Sequence, residues 1–99
     1  MARYQVIHEV CTDEEEVRER LDKEIPEYKQ DKGGWKLCLQ WGRYFYDDGR
    51  MEEGYRFIWR RPSGSQQAAR GQARLPALKV AEVLFETARE RGWGGYVTL

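Results

Sequence analysis

The chain has no asparagine, a single histidine and only two cysteines. No apolar run approaches the roughly 20 residues that a membrane-crossing helix needs. Each shortage excludes something. The first residues lack the apolar stretch of a secretory signal, so the cytoplasm is the expected compartment. His8, Cys11 and Cys38 fall short of a zinc ligand set, and no Cys-x-x-Cys pair is present. The two cysteines are expected as reduced structural thiols, since a disulfide between them would require an export route. Asp47-Asp48-Gly49 lacks the alternating acids of a calcium loop, and Gly92-Trp93-Gly94-Gly95 lacks the lysine and hydroxyl of a phosphate loop. Glu52 and Glu53 are neighbours that diverge in a strand. His8 lies among strand-forming residues as a half-buried side chain, and nothing local activates either thiol. The expectation is therefore a protein without catalysis, cofactor or metal. Arginine outnumbers lysine twelve to five. With the missing asparagine this fits a thermophilic source or a GC-rich genome equally well, and carries no function.

What is present is a small globular chain. Its 99 residues are 40% hydrophobic and 34% charged, which suits one folded domain over 1–99. Thirteen aromatics, four of them Trp, supply bulk to a core short of Leu and Ile. Tyr4 to Val10 is a strand, rich in β-branched residues. A helix is expected from about Asp13 to Glu24, with Thr12/Glu15 or Asp13/Glu16 as a capping box. Val17, Leu21 and Ile25 form its thin apolar stripe, and Pro26 ends it. Trp35-Leu37-Leu39-Trp41 alternates with Lys36-Cys38-Gln40 at the strand period of two, extending towards Tyr46 with Gly42 as a bulge. Asp47 to Glu53 reads as an acidic loop. Tyr55-Phe57-Trp59 alternates with Arg56-Ile58-Arg60, and Pro62-Ser63-Gly64 is a turn. A further strand is expected from about Gln67 to Leu75. A second helix begins near Pro76, buries Ala77, Val80, Ala81, Leu84, Phe85 and Ala88, and stops at Gly92. Tyr96 to Leu99 allows a short last strand. The expected fold is thus α+β in two layers, β-α-β-β-β-α, with a mostly antiparallel sheet and both helices on one face.

Charge is unevenly spread. Thr12 to Asp31 holds nine acids against four cations, whereas Tyr55 to Lys79 holds six cations and no acid. Strand parity then places the cations. With Trp35, Leu37, Leu39, Trp41, Tyr55, Phe57, Trp59, Ala69, Gly71, Ala73 and Leu75 turned to the helices, their neighbours share the other face. Lys36, Arg56, Arg60, Arg61, Arg70 and Arg74 make up the candidate anion- or partner-binding face, Lys36 and Arg61 at its margin. Two uses compete. One is association with a protein partner or a second copy, through complementary charge, a sheet edge or exposed aromatics among Tyr44, Phe45, Tyr46 and Met51. The other is nucleic-acid binding by the arginines, against which the inward aromatics and zero net charge argue. Association is the leading reading.

The order helix, three strands, helix over roughly Asp13 to Arg91 resembles the double-stranded-RNA-binding domain. That family carries a lysine cluster at the start of its second helix. Here Pro76-Ala77-Leu78-Lys79-Val80 offers one lysine, so no site residue is carried over. A three-stranded sheet followed by a helix is also similar to sheet-reading DNA-binding domains of plants. Both likenesses are architectural and imply no activity.

Overall fold

The computed structural model describes residues 3–28, 33–67 and 74–97. Five elements run in the order β1 (Arg3–Cys11), α1 (Glu15–Glu24), β2 (Lys36–Phe45), β3 (Met51–Arg60) and α2 (Leu78–Glu90). The strands form one antiparallel sheet in the order β1-β2-β3. The α+β expectation is met, with one antiparallel sheet. The expected strand over 67–75 lies largely outside the described residues. Just before it Gln66 makes a single antiparallel bridge with Arg60, the Gln67 N–H donates to the Trp59 carbonyl, and Arg74 and Leu75 are not in a strand. The possible last strand is not shown: Tyr96 and Val97 are exposed bends, and 98–99 lie outside the described residues.

Pairing in the sheet follows the alternation of the sequence. Leu37 faces Trp59, Leu39 faces Phe57 and Trp41 faces Tyr55 across β2 and β3. These side chains pack with Val10, Val17, Leu21, Val80, Leu84, Ala88 and Trp93 in one core. On the opposite face Cys11, Cys38 and Ile58 form a second, small apolar cluster. Rings and arginines of β3 thus lie on opposite sides, as two-residue periodicity requires. Trp35 departs from the expected inner set. It precedes β2, is only half-buried and belongs to neither cluster. Leu75 is exposed as well, and Ala69, Gly71 and Ala73 lie outside the described residues.

Other local expectations need correction. Neither capping box forms; Glu14 precedes α1 and its carboxylate instead accepts the Cys11 N–H at 3.0 Å. Glu52 and Glu53 are not in a loop but inside β3, so the hairpin turn is shorter than expected. Tyr46 N–H donates to the Arg50 carbonyl, and Gly49 supplies the positive φ (88°) that this turn needs. The bulge lies on β1, between Val6 and His8, rather than at Gly42. Gly42 faces it, because a Cβ there would stand 2.2 Å from the Gln5 carbonyl oxygen and 2.6 Å from the Tyr4 ring. On α2, Val83 and Thr87 join the buried face, while Ala77 and Phe85 are exposed. Thr87 is buried at no polar cost, since its hydroxyl donates to the Val83 carbonyl at 2.8 Å.

The cysteines overturn the reduced-thiol expectation. Cys11 and Cys38 are directly paired residues of β1 and β2 and are joined in a disulfide. Twenty-seven positions of sequence separate them, but strand pairing places their Cα atoms 4.0 Å apart. Among the described residues no helix is long and apolar enough to cross a membrane.

Candidate functional site

The basic face was assembled from β2, β3 and the segment after them. The structure adds β1, and β1 brings an acid. Glu9 pairs with Gln40 across the sheet and lies in the middle of this face. Its carboxylate accepts Arg60 Nη2 at 2.6 Å and Nε at 3.1 Å. Both side chains are about three-quarters covered, so the pair is held with little access to water. Arg60 Nη1 donates further to the Gly64 carbonyl at 2.7 Å.

Gln40 is the hub of this network. It is completely buried, and both its amide hydrogens and its carbonyl oxygen are engaged. Its amide donates to Glu9 (2.5 Å) and to Gln66 Oε1 (2.9 Å), and its carbonyl accepts Arg56 Nε (2.7 Å). Arg56 then stacks over the Tyr4 ring, 3.9 Å from its centroid. The Tyr4 hydroxyl donates to the Gly54 carbonyl at 3.0 Å. Burial, with Tyr44 nearby, pushes the Tyr4 phenol up to about 12. Two of the six candidate cations are therefore engaged within the sheet face. Sequence reasoning missed Glu9 and the role of Gln40; only the register of β1 against β2 brings them together.

The remaining candidates are dispersed. Lys36 is paired with Asp13 at 2.9 Å. Arg61 is exposed and, among the described residues, bonds to neutral oxygens of its own turn, Gln66 O at 2.9 Å and Ser65 Oγ at 3.4 Å. Arg74 is exposed, and its carbonyl accepts the Trp59 indole N–H at 2.9 Å. Arg70 lies outside the described residues.

Lys36 and Arg61 meet at the end of the sheet, in a concavity of about 400 Å³ that also takes Asp13, Arg18, Trp35 and Gly64 into its wall. Two loops form its rim. Gly34, at φ 88°, lies so near Pro62 that a Cβ would come within 3.0 Å of the proline ring. The turn carrying Arg61 is closed by Arg61 N–H to Ser65 O and Gly64 N–H to Arg61 O, 2.9 and 2.8 Å. A second concavity of about 300 Å³ lies on the helical side, between Tyr55, Phe85, Ala88, Trp93 and Tyr96.

Part of the acidic charge of the sequence is offset within the fold. Glu24 pairs with Lys79, Glu14 and Glu16 with Arg91, and Arg20 with Glu90. The acidic α1 thus lies beside cations of α2 and the turn after it. Such exposed pairs contribute only about 0–1 kcal/mol each, but they leave little unbalanced field for a distant partner.

One edge of the sheet stands open among the described residues. Thr12 N–H donates to Leu37 O, so antiparallel alternation turns the Cys11 and Glu9 main-chain groups away from β2. Glu14 occupies the Cys11 N–H, while Val6 and Ile7 at the bulge are 41% and 37% exposed. No protein-family model, curated protein or solved structure matches this chain.

Proposed function

We propose that this is a non-enzymatic interaction domain that associates with a second copy of itself through β1. The observation behind this is the open edge of a nine-residue strand whose middle exposes Val6 and Ile7. Unpaired strand edges are templates for another strand. An antiparallel pairing centred on Val6 sets Val6 against Val6 and Ile7 against Gln5 of the two copies, so the exposed apolar residues of the strand come together. A two-fold contact of this kind joins two three-stranded sheets into one. The reading assigns no catalytic residue.

Sedimentation velocity over a concentration series tests the proposal. The wild type should shift from monomer to dimer, and a V6K/I7K variant should stay monomeric with unchanged circular dichroism. A wild type that remains monomeric throughout refutes self-association.

A second reading, nucleic-acid binding, is supported by Arg61 and Arg74, which have no acidic partner among the described residues. It predicts affinity for DNA or RNA that falls steeply with salt. Equal affinity for wild type and R61E/R74E would exclude it.

A further inference from the structure

The concavity at the end of the sheet has features that the association reading does not use. Trp35 should have been a core residue by strand parity. It is instead packed in neither apolar cluster and lines this recess. Three cations, Arg18, Lys36 and Arg61, come to the same wall from α1, the start of β2 and the turn after β3. Among the described residues of the wall Asp13 is the one acid, and it is more than half exposed, which makes its ion pair with Lys36 weak and exchangeable. Arg61 is different in kind. Among the described residues its two hydrogen bonds both leave from Nη1 and both end on neutral oxygens, which holds the side chain in place without neutralising it.

From this geometry we infer a ligand site for a phosphate monoester carried on a planar ring, as in a mononucleotide. The guanidinium of Arg61 supplies planar, charge-assisted donors that match phosphate oxygens. Lys36 adds a point charge once Asp13 gives way. The Trp35 indole offers an apolar face against which a ring can stack. About 400 Å³ is within the range of small-ligand pockets and exceeds what phosphate alone would fill. The set includes Lys36 and Arg61 but leaves out Arg56 and Arg60, which Glu9 and Gln40 already hold.

Calorimetric titration with AMP, inorganic phosphate, adenosine and a 5′-phosphorylated oligonucleotide tests the site. AMP should bind more tightly than phosphate, and adenosine should not bind. R61E should weaken AMP about tenfold or more, and added salt should weaken it further. W35A should lower AMP affinity towards that of phosphate while leaving phosphate binding unchanged, a split that mere loss of folding does not produce. R74E, outside the recess, and V6K/I7K, at the β1 edge, should bind AMP as the wild type does. Tighter binding of the oligonucleotide than of AMP identifies a nucleic-acid end as the source, and the reverse identifies a free nucleotide. Adenosine binding as well as AMP, no AMP binding, or an R61E variant with wild-type affinity each overturns the proposal.

Discussion

Gly42 and Gly54 are directly paired on β2 and β3, yet the structure assigns them very different tolerance. A Cβ at Gly54 would meet only a Tyr44 ring carbon, at an ordinary 3.7 Å. A Cβ at Gly42 would stand 2.2 Å from the Gln5 carbonyl oxygen and 2.6 and 2.8 Å from carbons of the Tyr4 ring. The obstacle is backbone, so a rotamer change cannot remove it. β1 must move off β2 by roughly 1 Å, which is overpacking at about 1–3 kcal/mol. Displacement also weakens the ladder beside the bulge and the Tyr4–Gly54 hydrogen bond, at about 1 kcal/mol per bond. Gly42→Ala should therefore cost about 3–5 kcal/mol, a large part of the roughly 5–15 kcal/mol available to a domain of this size. Gly54→Ala should stay within about 1 kcal/mol. Urea unfolding of the two variants measures this, and the denaturation midpoint of Gly42→Ala should fall with little change in slope. Hydrogen exchange should show the loss of protection concentrated in β1. Equal effects at the two glycines, or a Gly42→Ala cost below about 1 kcal/mol, would refute the crowding argument.

Reduction of Cys11–Cys38, which closes a loop across 27 positions, should lower stability by about 3–4 kcal/mol on the loop-entropy model. Thermal melts with and without reductant, with thiols counted, test it; two free thiols and an unchanged melt would show that the link constrains nothing. Glu9→Gln leaves Arg60 with a weaker, neutral partner and should cost about 1–3 kcal/mol. It should also raise salt-sensitive binding to polyanions, which a gel-shift titration reads. In the folded state Tyr4 keeps its proton up to about 12, whereas its ordinary value is 10.0. Between these values the unfolded chain binds fewer protons, so stability falls as pH rises from 10 to 12. Tyr4→Phe should flatten that slope in alkaline denaturation, and Tyr28 and Tyr55, which burial raises in the same direction, contribute to what remains.

How much of this was legible depended on whether the signal was local. Two-residue alternation set the faces of β2 and β3 correctly, because Leu37, Leu39, Phe57 and Trp59 leave no other way to bury their side chains. The α2 stripe of Val80, Ala81, Leu84 and Ala88 was equally plain, since helical spacing is also a short-range property. What failed was pairing between segments. Glu9 looked like an ordinary strand acid until β1 was set beside Gln40. Cys11 and Cys38 looked like unrelated thiols for the same reason. Phe85 was assigned to the core by helical period. It instead packs from the edge against Phe57, ring centroids 5.4 Å apart, and stays half-exposed. Trp35 obeyed the alternation of β2 but falls outside the strand, where parity has no force. Of the six candidate cations, composition found the residues. The register of β1 then separated Arg56 and Arg60, tied into the sheet, from Lys36 and Arg61, which face a recess.

That separation changes what a partner has to do. An open stripe of arginines would attract any polyanion at long range and release it as salt rises. Here Gln40 already takes Arg56 Nε and Glu9 takes Arg60 Nε and Nη2, so a phosphate approaching these groups at the centre of the sheet has to displace hydrogen bonds that are in place. Glu14, Glu16 and Glu24 are likewise engaged, with Arg91 and Lys79. With net charge zero and most ions paired locally, association driven by bulk electrostatics is weak on physical grounds. What remains available is short-range: main-chain groups along β1, apolar Val6 and Ile7 beside them, and the Arg61–Trp35 recess at the other end of the sheet. A partner recognised there is selected by hydrogen-bond direction and shape. The β1 contact should therefore persist at salt concentrations that abolish binding in the recess.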